Sequence, residues 1–349
     1  MTLMSTGVCR GVLALGIVGV FLLSGCDQGD FARGFNFNPD LRREQWLQPV
    51  ASSVDVLFVI DTSCSMADEQ EALAANGPSF TSFFVDSNIP LRIGVTSTNV
   101  DEEETDGLDG RLAGDPTFLA GDQEDLEQAF LELALMGIDQ GHRFEKGLHA
   151  AWTALEELGD EVNEDFERED ANLVIIVVSD EPDFSESEHE TASAWTNWED
   201  FSDWLDEHKG DDTAHRTQLS AVVGVGEEGF EDPEGCNQDE TGEDPAQGAQ
   251  RGTGYLEAVE ATGGFYQSIC TDDWGQMLER MGLLAAGLLD TFVMTEPPKP
   301  QSIQVEVNGR TEPRWVLLPQ ENAIYFDDVD AIPPPGAEVA IRYMVLGSD

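Results

Sequence analysis

The stretch that most constrains the fold is "NLVIIVVSD", Asn172 to Asp180. Its Leu, Val and Ile residues run without interruption from Leu173 to Val178. An apolar, β-branched run of that length, closed by polar residues, suits a strand covered on both faces. A second run, "VDVLFVI" from Val54 to Ile60, has the same character and also ends in an acid, Asp61. Two such strands predict a sheet buried between helices. In open α/β sheets of this kind, ligands bind beyond the carboxyl ends of the strands.

The segments between and after these runs alternate in type. A helical stretch from about 67 to 86, broken at "NGP" (Asn76 to Pro78), leads to the strand "LRIGVTS" from Leu91. An acidic, Gly-rich loop then precedes a helix carrying Leu126, Phe130, Leu133 and Met136 on one face. A further helix places Leu148, Trp152, Leu155 and Leu158 together. After the central strand, Trp195, Trp198, Phe201 and Leu205 recur at helical spacing, which reads as core. "LSAVVGVG" and "FYQSIC" are later strands, and a long amphipathic helix from Asp272 to Phe292 closes this body. Strands alternating with helices predict an α/β fold with a doubly wound, mostly parallel sheet. Beyond "TEPPKPQ" the runs are short and alternating with no helical period. Residues 295–349 therefore read as a small all-β domain, after a main body over 51–294.

The N-terminus reads as an export signal. "GVLALGIVGVFLL" follows Arg10 and is shorter than a comfortable bilayer span. It ends in "LSGC", which resembles the bacterial lipobox. That resemblance implies a signal peptide over residues 1–25, cleavage before Cys26 and lipidation of Cys26. Residues 26–50 then form a tether, and the chain is held in the bacterial cell envelope, periplasmic or surface-exposed. Export also permits disulfides. Of the three cysteines left, Cys236 and Cys270 flank one helical segment and form the candidate bridge. Cys64 is then a free thiol, expected to be largely buried. The alternative leaves all three unpaired.

Charge limits the partners. The chain has 70 Asp and Glu against 17 Lys and Arg, a formal net charge of −53. Such a coat repels nucleic acid and anionic surfaces and attracts cations.

The polar residues after Ile60 carry the chemistry. In "DTSCS", Asp61, Ser63 and Ser65 put one carboxylate and two hydroxyls on a tight loop. Three hard oxygens suit Mg²⁺ or Ca²⁺ rather than a soft metal. An apolar strand followed by Asp-x-Ser-x-Ser resembles the von Willebrand factor type A domain, where this motif opens the metal-ion-dependent adhesion site. The resemblance covers roughly residues 54–292 and implies a Rossmann-like sheet with Asp180 as the carboxylate of the third loop. The family's Gly-Thr-x-x-x-x-Gly-Leu stretch corresponds to "GHRFEKGL", Gly141 to Leu148. His142 stands in the Thr position, and Glu145 is an alternative oxygen source. Glu181 and Asp183 are further possible ligands, or hold their loop by turn hydrogen bonds.

The resemblance implies a non-enzymatic, lipid-anchored protein. Its divalent cation, Mg²⁺ or Ca²⁺, engages an acidic group of a protein or polysaccharide partner. The alternatives are a structural lipoprotein with a vestigial site and a metal-assisted hydrolase. The sequence holds no Gly-x-Ser-x-Gly elbow, phosphate loop or His-Glu-x-x-His pair to support catalysis.

Overall fold

A computed structural model describes residues 40–100, 108–138, 145–185, 197–210, 217–226 and 249–347. Chain order begins β1 (Leu41–Leu47), β2 (Val54–Ile60), α1 (Ala67–Ser87), β3 (Leu91–Ser97), β4 (Leu119–Ala120), α2 (Leu126–Ala134) and α3 (Gly147–Trp152). It continues with β5 (Asn172–Ser179), α4 (Trp198–His208), β6 (Thr217–Val223), α5 (Tyr255–Thr262), β7 (Tyr266–Ser268) and α6 (Trp274–Ala285). The remaining strands are β8 (Thr291–Val293), β9 (Gln304–Val307), β10 (Arg310–Thr311), β11 (Val316–Leu318), β12 (Ala323–Tyr325) and β13 (Glu338–Met344).

The central sheet has the order β4-β3-β2-β5-β6-β7. All its pairings are parallel except β4 against β3, so the sheet is mixed. Side chains alternate across it as the two-residue strand period requires. Val56, Phe58, Ile60, Val174, Ile176 and Val178 pack with residues of α1, α2 and α6. Leu57, Val59, Leu173, Ile175 and Val177 pack with residues of α3, α4 and α5. Covered on both faces, β2 is buried at every position. The order also fixes where the chain reverses. From β2 it winds outward to β3, then returns to β5 on the other side, so the carboxyl ends of β2 and β5 flank a topological switch point.

The expected break in α1 is absent. The helix runs unbroken through Pro78, and its buried residues Leu73, Ala74, Gly77, Phe80 and Phe84 lie on both sides of the proline. The Phe80 and Phe130 rings each stand 5.3 Å from that of Phe58, edge to face. Packing of this aromatic cluster outweighs the single backbone hydrogen bond that proline removes.

The other end of the first body also differs from expectation. The helix predicted to reach Phe292 stops at Ala285, because Gly287 takes φ +84° and its amide returns to Leu284 O at 2.8 Å. Thr291–Val293, placed before the boundary at 295, instead forms β8 and pairs with β12. Two antiparallel sheets are built here, β1-β13-β9-β10 and β11-β12-β8. Their Phe292, Ile324, Val339, Ile341 and Tyr343 join the same apolar cluster as α1 and α6.

Part of the expected tether is structural. Leu41–Leu47 pairs antiparallel with β13 over seven residues, from Leu41↔Met344 to Leu47↔Glu338. Gln48, 1% exposed, then fixes the junction. Its amide nitrogen donates to Leu289 O and Pro333 O, both at 2.8 Å, and its side-chain oxygen accepts from Leu289 N at 3.1 Å. Among the described residues no helix is long and apolar enough to cross a membrane.

Candidate metal centre

The site forms where parallel strands run out together. Ile60 O accepts from Thr98 N at 3.1 Å, and Asp61 N donates to Val178 O at 3.0 Å. The ladder thus delivers the residues after β2, β3 and β5 to one edge. Asp61 is fully buried. Its Oδ1 accepts from Ser63 N at 2.7 Å, the turn that an Asx side chain stabilises. Its Oδ2 accepts from Ser179 Oγ at 2.7 Å. Gln70 supports the same loop from α1, donating to Asp61 O at 2.8 Å and to Gly137 O at 3.1 Å.

The hydroxyls continue the chain of contacts. Ser63 Oγ and Ser65 Oγ lie 3.0 Å apart, and the Ser65 side chain hydrogen-bonds Asp180. Asp61, Ser63, Ser65 and Asp180 are therefore linked side by side. Asp180 is 6% exposed, and its Oδ1 has no hydrogen-bond partner. Its carbonyl is held by Gln250 N at 2.8 Å.

Glu145 approaches from the third side. It is fully buried, with Oε2 accepting from Thr98 Oγ1 and Oε1 lacking a partner. Phe184 N donates to its carbonyl at 2.7 Å, and Lys146 N to Thr98 O at 3.1 Å, which pin it between β3 and the loop after β5. Glu181, half-buried, follows Asp180. Its amide donates to Ser179 Oγ at 3.1 Å.

Burial raises each of these carboxyls, and repulsion from neighbouring carboxylates adds to the rise at Asp180, Glu145 and Glu181. Burial pushes Asp180 up to about 7; Asp61 adds to that, Ser65 opposes it, and Glu181 and Glu69 add further. Glu145 is pushed up to about 9 by burial and then by Asp61, with Thr98 pulling the other way and Glu181 and Asp180 adding to the rise. Burial also lifts Asp61 against the pull of its Ser63 and Ser179 hydrogen bonds. It lifts Glu181 as well, together with the charge of Asp61. The charges acting on Glu145 and Asp180 are thus those of other carboxylates, the arrangement a bound cation relieves.

Asp183, a possible ligand by sequence, is engaged elsewhere. Its Oδ1 accepts from Leu148 N at 3.2 Å and Ser185 Oγ at 2.9 Å, its Oδ2 from Ser185 N at 3.2 Å, and Tyr255 also bonds it. Tyr255 OH accepts from Gly147 N and Ser185 Oγ from His149 N, so this group anchors the start of α3. Burial pushes Asp183 up to about 6 despite these bonds.

Cys64 is free, but it is exposed rather than buried as expected. In this loop Thr62 turns inward at 1% exposure, and Cys64 turns out to solvent between two half-buried serines. Cys270 is disulfide-bonded. His142, Cys26 and Cys236 lie outside the described residues.

Sequence reasoning missed Thr98, Ser179 and Gln70. Thr98 had a usable signal, since it ends β3 as Asp61 ends β2. Ser179 and Gln70 had none, because their roles depend on contacts across the loop. Among the described residues no three His, Cys, Asp or Glu side chains are grouped to hold a metal by themselves. The converging donors are mixed, carboxylate and hydroxyl, and all are hard oxygens. A cavity of about 1260 Å³ lies at the opposite end of the strands, beside Ser52, Asn172, Thr217 and Gly264.

No protein-family model and no curated protein matches the chain. Among solved structures, the chain is similar to the pilus adhesin SpaC from Lactobacillus rhamnosus GG. That match has a TM-score of 0.40 at 11% identity and covers 89% of this chain and 43% of that one. It is also similar to proximal thread matrix protein 1 from the mussel byssus, with TM-score 0.37, 9% identity and coverage of 72% and 51%. A third is the pilus adhesin RrgA from Streptococcus pneumoniae, with TM-score 0.33, 10% identity and coverage of 88% and 59%. The chain spans about half the length of these proteins.

Proposed function

We infer that this chain is a von Willebrand factor type A-like binding protein, lipid-anchored in the bacterial envelope through Cys26. It works without catalysis, by holding one divalent hard cation, Ca²⁺ or Mg²⁺, that a protein or polysaccharide partner helps to coordinate. One observation carries this reading. Asp61, Ser63, Ser65 and Asp180 are joined in hydrogen-bonded sequence at the switch point, beside two buried carboxylate oxygens that lack partners.

The residues divide the work. Ser63 and Ser65 are half-buried and present hydroxyl oxygens at the rim. Asp180 offers its orphan Oδ1 from below. Asp61 has both oxygens tied by Ser63 N and Ser179 Oγ, so it holds the loop in shape and adds charge. Glu145 supplies charge in the stretch where the family has a threonine. When bound, the ion supplies the positive charge that draws a partner's oxygen to the open side.

Titration calorimetry with Ca²⁺ and with Mg²⁺, at ionic strength fixed by NaCl, tests the reading. One weak site is expected, with Ca²⁺ favoured because it accepts more oxygens and looser geometry. Asp180→Asn should abolish the heat. Binding heat that the variant retains in full would move the ion to the acidic coat, and no heat in the wild type would leave a vestigial site.

A further inference from the structure

The charge around the site bears on what can complete it. Asp61, Glu145 and Asp180 are each at most 6% exposed, so three carboxylates sit in one poorly solvated region. One divalent ion offsets two of them. Whether a carboxylate touches the ion or meets it through water, its charge counts in the local field. The surroundings add more of the same sign, because the half-buried Glu181 at the rim acts on both Glu145 and Asp180, and the buried Glu69 acts on Asp180. The whole chain, at −53, repels polyanions before they arrive.

The reachable part of the site is hydroxyl and carboxylate. Ser63, Ser65 and Glu181 are half-buried, whereas Glu145 and Asp61 are sealed beneath them. An incoming carboxylate can accept the serine protons, but it meets Glu181 at the rim and Asp61, Glu145 and Asp180 beneath it with like charge. A pair of alcohol groups meets the same rim differently. Each oxygen can give a lone pair to the ion while its proton goes to the Glu181 carboxylate or a serine oxygen.

We propose that the cation-loaded site recognises the hydroxyl groups of a neutral polysaccharide, not the acidic group that the family resemblance implies. This rests on the reading of Asp61, Ser63, Ser65 and Asp180 as a cation site. The two partnerless oxygens, Asp180 Oδ1 and Glu145 Oε1, support it independently of the charge count, since an ion or an ordered donor must satisfy them.

The test uses the full chain on columns of mannan, dextran and galactan in buffered Ca²⁺ with NaCl above physiological strength. Retention is expected on at least one polymer. Its free sugar or EDTA should elute the protein, and acetate at matched ionic strength should not. Glu181→Gln should make acetate about tenfold or more effective as a competitor, because one like charge has left the rim. Elution by acetate as readily as by sugar, retention that survives EDTA, or passage through all three columns would overturn the proposal. Calorimetry with Ca²⁺ alone separates the two levels. Absent heat removes the cation site itself, whereas normal heat with any of those column results removes only the polysaccharide.

Discussion

Asp180 and Glu145 make the ion-free site sensitive to pH in a direction that can be worked out. Both carboxyls are held above their ordinary range, at about 7 and about 9. The folded chain therefore keeps protons that the unfolded chain releases. Their contribution to stability is complete below the unfolded values and is lost as pH rises through the folded ones. Without divalent ions the protein should lose stability between about pH 5 and about pH 9 for this reason. Ca²⁺ replaces those protons, so the Ca²⁺-specific rise in Tm should be larger at about pH 8 than at about pH 5. Thermal scans at matched ionic strength check this, and an increment independent of pH would contradict it. Asp180→Asn removes a repelled, desolvated charge. Its ion-free Tm at about pH 8 should equal or exceed that of the wild type, while the Ca²⁺ increment disappears. At this scale the strand end pointed to Asp61, Ser63 and Ser65, and the family resemblance added Asp180; the structure places these four side chains next to one another. The involvement of Asp183 in anchoring α3 was not legible, since it depends on Tyr255, over seventy residues later. The exposure of Cys64 was not legible either, because it depends on which way one loop position turns.

Elements follow their apolar patterns until packing overrides local preference. The two buried strands and the alternation around them were readable from side-chain period alone. Pro78 was misleading, because nothing nearby in sequence announces that Phe58, Phe80 and Phe130 will hold the helix straight across it. The π-helical stretch Thr153–Glu157 after α3 is another departure. It shifts the facing by part of a turn, and Leu158, expected on one side with Leu148 and Leu155, ends half-buried while those two are buried. The contact between α1 and α6 has its own requirement. Gly282 lies so near the partner helix that a Cβ would stand 2.3 Å from Phe80 O. Alanine gains about 1 kcal/mol of helix propensity over glycine. Forcing two backbones apart costs about 1–3 kcal/mol, so Gly282→Ala should be net destabilising. Urea denaturation measures the sign directly, and a stabilised variant would mean that the helices separate freely.

The whole molecule binds its early and late segments together. The seven-residue ladder between β1 and β13 and the three side-chain hydrogen bonds of Gln48 join residues between 241 and about 300 positions apart. By sequence this segment reads as a tether because it is polar and irregular, and the strand that orders it, β13, lies at the far end of the chain. Gln48→Ala should lower stability by about 1–3 kcal/mol, since it removes the partner of the buried Pro333 carbonyl and both part-buried bonds to the Leu289 backbone. A loss below a few tenths of a kcal/mol in chemical denaturation would return the segment to a passive role. The anchor is tested separately. Cys26→Ser, expressed in a bacterium, should move the protein from the detergent phase to the aqueous phase on partition, and an unchanged distribution would refute lipidation.

The β1–β13 ladder also has a mechanical meaning. Tension entering through the chain before Asp40 reaches β1 first and meets there its hydrogen bonds to β13 and to Thr295 and Glu296. The central sheet with its switch-point loops lies further along that load path. A pulled molecule would thus yield first at the outer ladder, in a discrete step of about 25 Å as seven extended residues come free. The loops of the candidate site would keep their shape until that step has passed. Under such a load β1 would give way first and spare the loops behind it.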